Sequence, residues 1–90
     1  MFASIDPTTE EPFHRVELDA PDAVERKLAA GFEAWRRWRH RSFAERAEAV
    51  RALAASLRGD RERLARLMSR EMGKPLVEAR GEVDKTAWCY

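Results

Sequence analysis

The chain has 90 residues, with 17 Lys and Arg against 16 Asp and Glu, a formal net charge of +1 and a single cysteine. That length permits at most one small domain with a modest buried share. The interspersed, nearly balanced charge implies no strongly acidic or basic partner, and a lone thiol excludes an internal disulfide. Leu, Ile, Val and Phe supply 17 of the 90 residues, which with so little net charge predicts a charged solvent face over a thin apolar seam, not a disordered tail.

The composition changes once, near Asp19. Before it, short apolar patches are broken by Asp6-Pro7-Thr8-Thr9 and by Pro12, which reads as an extended strand, a turn and a second extended segment. Residues 1–18 are therefore expected to form an extended N-terminal β arm. An isolated two-stranded hairpin is barely stable in water, so the arm must lie on something else.

Residues 19–90 read as helical almost throughout. A first helix is expected from about Ala20 to Trp38, with Asp19 as its N-cap, Pro21 tolerated in the first turn and Asp22 at the positive end of the dipole. Val24, Leu28, Phe32 and Trp35 recur at helical spacing as one apolar stripe, while Asp22 with Arg26 and Glu33 with Arg37 are placed to pair on the other face. The stripe calls for a partner helix, since each such side chain stabilises by roughly 1.5–3 kcal/mol when fully buried.

Ser42-Phe43-Ala44-Glu45 is a capping box and opens a second helix, which runs through Ala47, Val50, Ala54 and Leu57 on one face and is expected to stop at a left-handed Gly59. Asp60 is placed to cap a third, striped by Leu64, Leu67, Met68 and Met72 and closed by Gly73. Pro75 fits the first position of a fourth, whose inner face is Leu76, Ala79, Val83 and Ala87. Short turns between these helices favour antiparallel neighbours. The fold class expected is thus mostly α, a short N-terminal β arm followed by four amphipathic helices. The last helix reaches Trp88-Cys89-Tyr90 without a glycine, basic turn or proline to end it, which predicts a fragment of a longer protein, truncated at the C-terminus.

Little here can carry chemistry. No Gly-rich phosphate loop, nucleophile with a neighbouring base or close pair of buried carboxylates can be assembled. His14 and His40 have no ligand-like spacing to each other or to Cys89, and Cys89, with Asp84 and Lys85 nearby but no His, reads as a buried structural cysteine. Trp35-Arg36-Arg37-Trp38-Arg39-His40-Arg41 has the aromatic and guanidinium groups of a nucleic-acid patch. Glu33, Glu45 and Glu48 dilute its field, however, and Arg at a helix C-terminus is ordinary dipole compensation, so no nucleic-acid partner is expected and Trp35 is assigned to the core. Glu71 is the one awkward charge: a carboxylate near a helix C-terminus meets the negative end of the dipole at a cost of about 0.3–1 kcal/mol. Pairing with Lys74 or solvation is the plain explanation, a bound cation or a distant partner residue the other. No secretory leader and no membrane-length apolar run is present, and a cytoplasmic protein is expected.

Ile5-Asp6-Pro7-Thr8-Thr9, Phe32-Glu33-Ala34-Trp35, Ser42-Phe43-Ala44-Glu45-Arg46, Leu67-Met68 through Gly73-Lys74-Pro75, and Glu78-Ala79-Arg80-Gly81-Glu82-Val83 follow one another in a definite order. In that order and spacing nearly the whole chain resembles the N-terminal region of NAD(P)-dependent aldehyde dehydrogenases, most of all the succinate-semialdehyde dehydrogenase branch. Two positions depart from the family's first turn: Asp6 stands where Asn is usual and Glu10 where Gly is usual. Glu10 must then either accept slight strain or adopt another turn type.

The resemblance implies an α/β parent in which residues 1–18 are the arm and residues 19–90 the helical start of the nucleotide-binding domain. It further implies NAD or NADP as the parent's cofactor, a homodimer or homotetramer, and oxidation of succinate semialdehyde or a similar small aldehyde. The implied chemistry is thiolate attack on the aldehyde, hydride transfer to the nicotinamide and thioester hydrolysis by a Glu-activated water. Cys89 does not match the family's nucleophile, so the ninety residues are expected to be structural, to bind no cofactor and to be inactive alone. One family feature maps here: some members hold a structural monovalent cation with an acidic residue at the position of Glu71 and a backbone carbonyl near Ser4 or Ile5. A free-standing helical protein-interaction module is the alternative reading.

Overall fold

The computed structural model describes residues 1–90. Strand β1 (Phe2–Ile5) pairs antiparallel with β2 (Pro12–Val16), Phe2 opposite Val16 and Ser4 opposite His14, and the register slips between Ser4 and Ile5 so that Ile5 faces Pro12. Proline has no amide proton to give the ladder, so pairing ends there. In the connecting turn the Asp6 carboxylate accepts from the Thr8 amide at 2.9 Å, and the Asp6 carbonyl accepts from the Glu10 amide at 2.8 Å. Glu10 takes φ 60 and is the sole non-glycine residue in the left-handed region. The turn therefore keeps the shape that glycine would favour and places a side chain under strain.

Four helices follow: α1 (Pro21–Trp38), α2 (Phe43–Gly59), α3 (Arg61–Met72) and α4 (Leu76–Cys89). Their lengths match the apolar periods, while several ends are made differently from expectation. Ala20, not Asp19, is the N-cap of α1, and the Asp19 carboxylate instead pairs with Lys27. Ser42 and Glu45 form the reciprocal capping box in full. Gly59 does not terminate α2 in the left-handed region; it stays helical and Asp60 follows it. Asp60 precedes α3 but caps no amide, because Arg63 holds its carboxylate. Pro75 stands one position earlier than expected, as the N-cap of α4. Near the far end of α4, Arg58 reaches over from α2, 29 positions away in sequence, and donates to the Ala87 carbonyl at 3.3 Å.

Packing centres on α4, which takes α3 along one side and α2 along another. The buried residues are Ala54, Ala65, Ala79, Val83 and Ala87, with Leu64, Met68 and Leu76 against them. Alanine at the crossing lets the backbones approach closely, and Val83 is the one large side chain fully enclosed. Two forked ion pairs bind α3 to α4. Arg61 meets Asp84 at 2.7 and 2.8 Å, and Arg80 meets Glu62 at 2.6 and 3.1 Å. Numbers rising along one helix and falling along the other confirm the antiparallel hairpin.

The whole is a plate measuring 47 × 36 × 15 Å, with a radius of gyration of 17.2 Å. A compact domain of this length would have about 12 Å. The difference comes from α1, which packs against no other element. Its stripe lacks the partner helix it calls for, and Trp35, assigned to the core from sequence, is 49% exposed.

The Arg61 fork holds the Asp84 carboxyl below its ordinary pKa, and the Arg80 fork does the same for Glu62. Between the lowered and ordinary values the unfolded chain binds more protons, so the stability these pairs contribute is complete above about pH 5 and is lost as pH falls towards the lowered values. Asp84→Asn should flatten that acid limb in urea titrations. Because the pairs are exposed, high salt should flatten it too.

Candidate functional site

The arm meets the helices at one place, the end of α3. Four contacts build the joint. The Arg70 guanidinium lies over the Phe13 ring at 4.2 Å and reaches Asp6 at 3.9 Å. The Ser4 hydroxyl donates to the Glu71 carboxylate at 3.1 Å. Pro7 sits on Gly73, where an added methyl would stand 3.1 Å from Pro7 Cγ. Gly73 itself takes φ 67 and closes α3 with its amide on the Ser69 carbonyl at 2.9 Å. One glycine thus serves two needs, the left-handed cap and the close approach of the arm.

The awkward carboxylate of Glu71 is met by a residue 67 positions away in sequence. Lys74, its neighbour, pairs with Glu82 instead. Phe2, Ser4, Ile5, Glu71 and Met72 line a shallow hollow of about 230 Å³ at this point. Its polar atoms are hard oxygens, Glu71 Oε1 and Ser4 Oγ, at hydrogen-bond distance from each other. Such donors suit a hard cation and not a soft one. No group of three or more His, Cys, Asp or Glu side chains stands together anywhere in the chain. Ser4 and Glu71 are thus brought together through their side chains, whereas the second ligand expected from sequence is a backbone carbonyl of the Ser4 or Ile5 segment.

Elsewhere the structure corrects the sequence reading. Cys89 is exposed near the end of α4, not buried. Arg39 lies over the Trp35 ring at 4.9 Å, and Phe32 stacks at a tilt on Trp35 with ring centres 5.6 Å apart, so the aromatic and guanidinium groups of this stretch engage one another. Glu33 pairs with Arg36 and not with Arg37. One participant in the arm joint, Arg70, escaped sequence reasoning, and Ser4, expected opposite Glu71 through a backbone carbonyl, meets it through its hydroxyl. The only signal for Arg70 was a basic residue just ahead of the Gly73 stop.

An arm docked on a helix end and an alanine-centred helical hairpin hold no reacting group, so ancestry must identify the chain. It belongs to the aldehyde dehydrogenase family, whose model matches residues 1–90. Among its relatives, the NAD(P)+ succinate semialdehyde dehydrogenase Sad of Escherichia coli (strain K12) is 37% identical over 84 residues, covering 93% of this chain and 18% of that protein. The N-succinylglutamate 5-semialdehyde dehydrogenase of Chromohalobacter salexigens is 40% identical over 82 residues, 91% of this chain and 17% of that protein. The 3-sulfolactaldehyde dehydrogenase of Pseudomonas putida is 35% identical over 82 residues, again 91% of this chain and 17% of that protein. The chain thus spans less than a fifth of the length of these relatives.

Two substitutions test the joint in opposite directions. Gly73→Ala, which strains the cap and presses on Pro7, should cost about 1–2 kcal/mol or more. Glu10→Gly, which relieves a left-handed side chain, should gain about 0.5–1 kcal/mol after the added flexibility of the unfolded chain is subtracted. Chemical denaturation of each variant beside the parent reads both signs.

Proposed function

We propose that the chain serves as the arm and leading helices of an NAD(P)-dependent aldehyde dehydrogenase, residues 1–18 as the arm and residues 19–90 as the helical start of the nucleotide-binding domain. The observation that carries the reading is the family match along all ninety residues. The whole enzyme oxidises succinate semialdehyde or a similar small aldehyde to the carboxylate. Support for that substrate class comes from the relatives: two are named for semialdehydes and one for a sulfonated aldehyde, each by its name an aldehyde with an acidic group further along. The enzyme works in the cytoplasm as a homodimer or homotetramer.

The part played by these residues is structural. NAD or NADP, when bound to the whole enzyme, accepts the hydride, and nothing in residues 1–90 is arranged to take part in that step. The Ser4–Glu71 contact fixes the arm on the end of α3. A structural monovalent cation shares that place, held by the Glu71 carboxylate with a backbone carbonyl from the Ser4 or Ile5 segment. The carboxylate then offsets a cation instead of facing only the negative end of a helix dipole.

Purified residues 1–90 mixed with succinate semialdehyde and NAD+ or NADP+ should produce no reduced nicotinamide. Turnover by the chain alone would overturn the structural role. The reading frame beyond the Tyr90 codon should run on into a Gly-rich nucleotide loop and a later reactive cysteine; a genuine stop codon would favour the interaction-module reading. For the cation, Glu71→Gln in the dehydrogenase should weaken the dependence of thermal stability on Na⁺ or K⁺. Identical ion dependence in the variant would remove the site.

A further inference from the structure

Within residues 1–18, Ser4, Asp6 and Phe13 alone are partly shielded from water; every other residue of the arm is exposed. They come from β1, the turn and β2 in order, and each meets one of two neighbouring residues of α3. The Ser4 hydroxyl donates to Glu71 at 3.1 Å, while the Arg70 guanidinium lies 4.2 Å from the Phe13 ring and 3.9 Å from Asp6. Pro7 on Gly73 completes the seat. Arg70 thus ties the turn to β2 with one planar group, and the shielded part of the arm is confined to what a single turn of helix touches.

Behind the arm, residues 17–19 make no backbone hydrogen bond, and α1 packs against no other element. The arm can leave its seat while α2, α3 and α4 keep the packing of Ala65, Ala79 and Val83 and both ion-pair forks. A two-stranded hairpin alone is marginal in water, and this one also carries the left-handed Glu10. Once unseated its strands part as well, so undocking and strand separation are a single step.

We infer that the arm is a strap that opens as one unit on a standing helical plate, with Arg70 as its latch. Cooperative openings of this kind occur below the free energy of global unfolding and fall on segments with few buried contacts. Opening uncovers the Glu71 carboxylate and the α3–α4 turn at Gly73; closing covers them. Arg70 suits the latch because a guanidinium stays charged and can stack on a ring while it faces a carboxylate. The strap belongs to these ninety residues and stands whether or not the dehydrogenase role does.

Amide hydrogen exchange of the full 90-residue chain, followed residue by residue by NMR, reads the opening. The bonded amides of β1 and β2 should share one protection factor, lower than that of the α4 amides around Val83. Arg70→Ala should speed exchange in the strands by roughly threefold to tenfold and leave α4 unchanged. Arg70→Lys, which keeps the charge and loses the planar stack, should fall between the two. Arg66→Ala, one turn earlier and 3.9 Å from Glu62, should leave the strands at the parent's rate. Strand protection scattered from residue to residue would overturn the single unit. Strands no less protected than α4, or strands and α4 accelerating together in Arg70→Ala, would overturn the independent strap. Strand exchange unmoved by Arg70→Ala, or moved as far by Arg66→Ala, would overturn the latch.

Discussion

A left-handed glycine and the proline two places after it let α3 stop and α4 begin within three residues. That reversal brings Ala65 against Ala79 and Val83. It also sets Arg61 across from Asp84 and Glu62 across from Arg80, and presents the end of α3 as the only seat for the arm. A longer turn would loosen the register that the alanine packing and the two ion-pair forks share. Electrostatics follows geometry here: the carboxyls of Asp84 and Glu62 are held low because the turn has already placed guanidinium groups opposite them.

The family relation gives this local order a purpose. Beside the two forks that bind α3 to α4, the chain fixes the arm through Ser4, Asp6, Pro7 and Phe13. The alanine seam is the covered half of the plate; α1 is the half whose apolar stripe is exposed.

Features that depend on neighbours in sequence were legible beforehand. The Ser42–Glu45 capping box, the left-handed Gly73 and the inner faces of α2 and α4 are all set by interactions within one or two turns, and each appears as read. Features made by distant residues were not legible. Arg58 meeting the Ala87 carbonyl and Arg70 covering Phe13 join residues far apart in the chain, and no local pattern distinguishes these arginines from the other exposed ones; Ser4 was placed opposite Glu71 only by resemblance, and its hydroxyl makes the contact. Asp19 and Asp60 failed as caps for a related reason: Lys27 and Arg63 compete for the carboxylates, and a charged partner outbids a backbone amide. Trp35 was placed in the core by periodicity, which reports that a face wants cover without saying whether the chain itself provides it.

The alanine seam has an implication for how tightly distant parts are tied. Ala65 and Ala79 are sealed from water completely, so the two helix backbones are near their limiting approach and no rotamer change can absorb an added carbon. A bulkier residue at either place would act as a wedge, prising α3 away from α4. Because the arm is seated on α3 alone, that wedge would swing the arm with it, like a gate whose hinge post has shifted. Two inconspicuous alanines thus govern where the arm points.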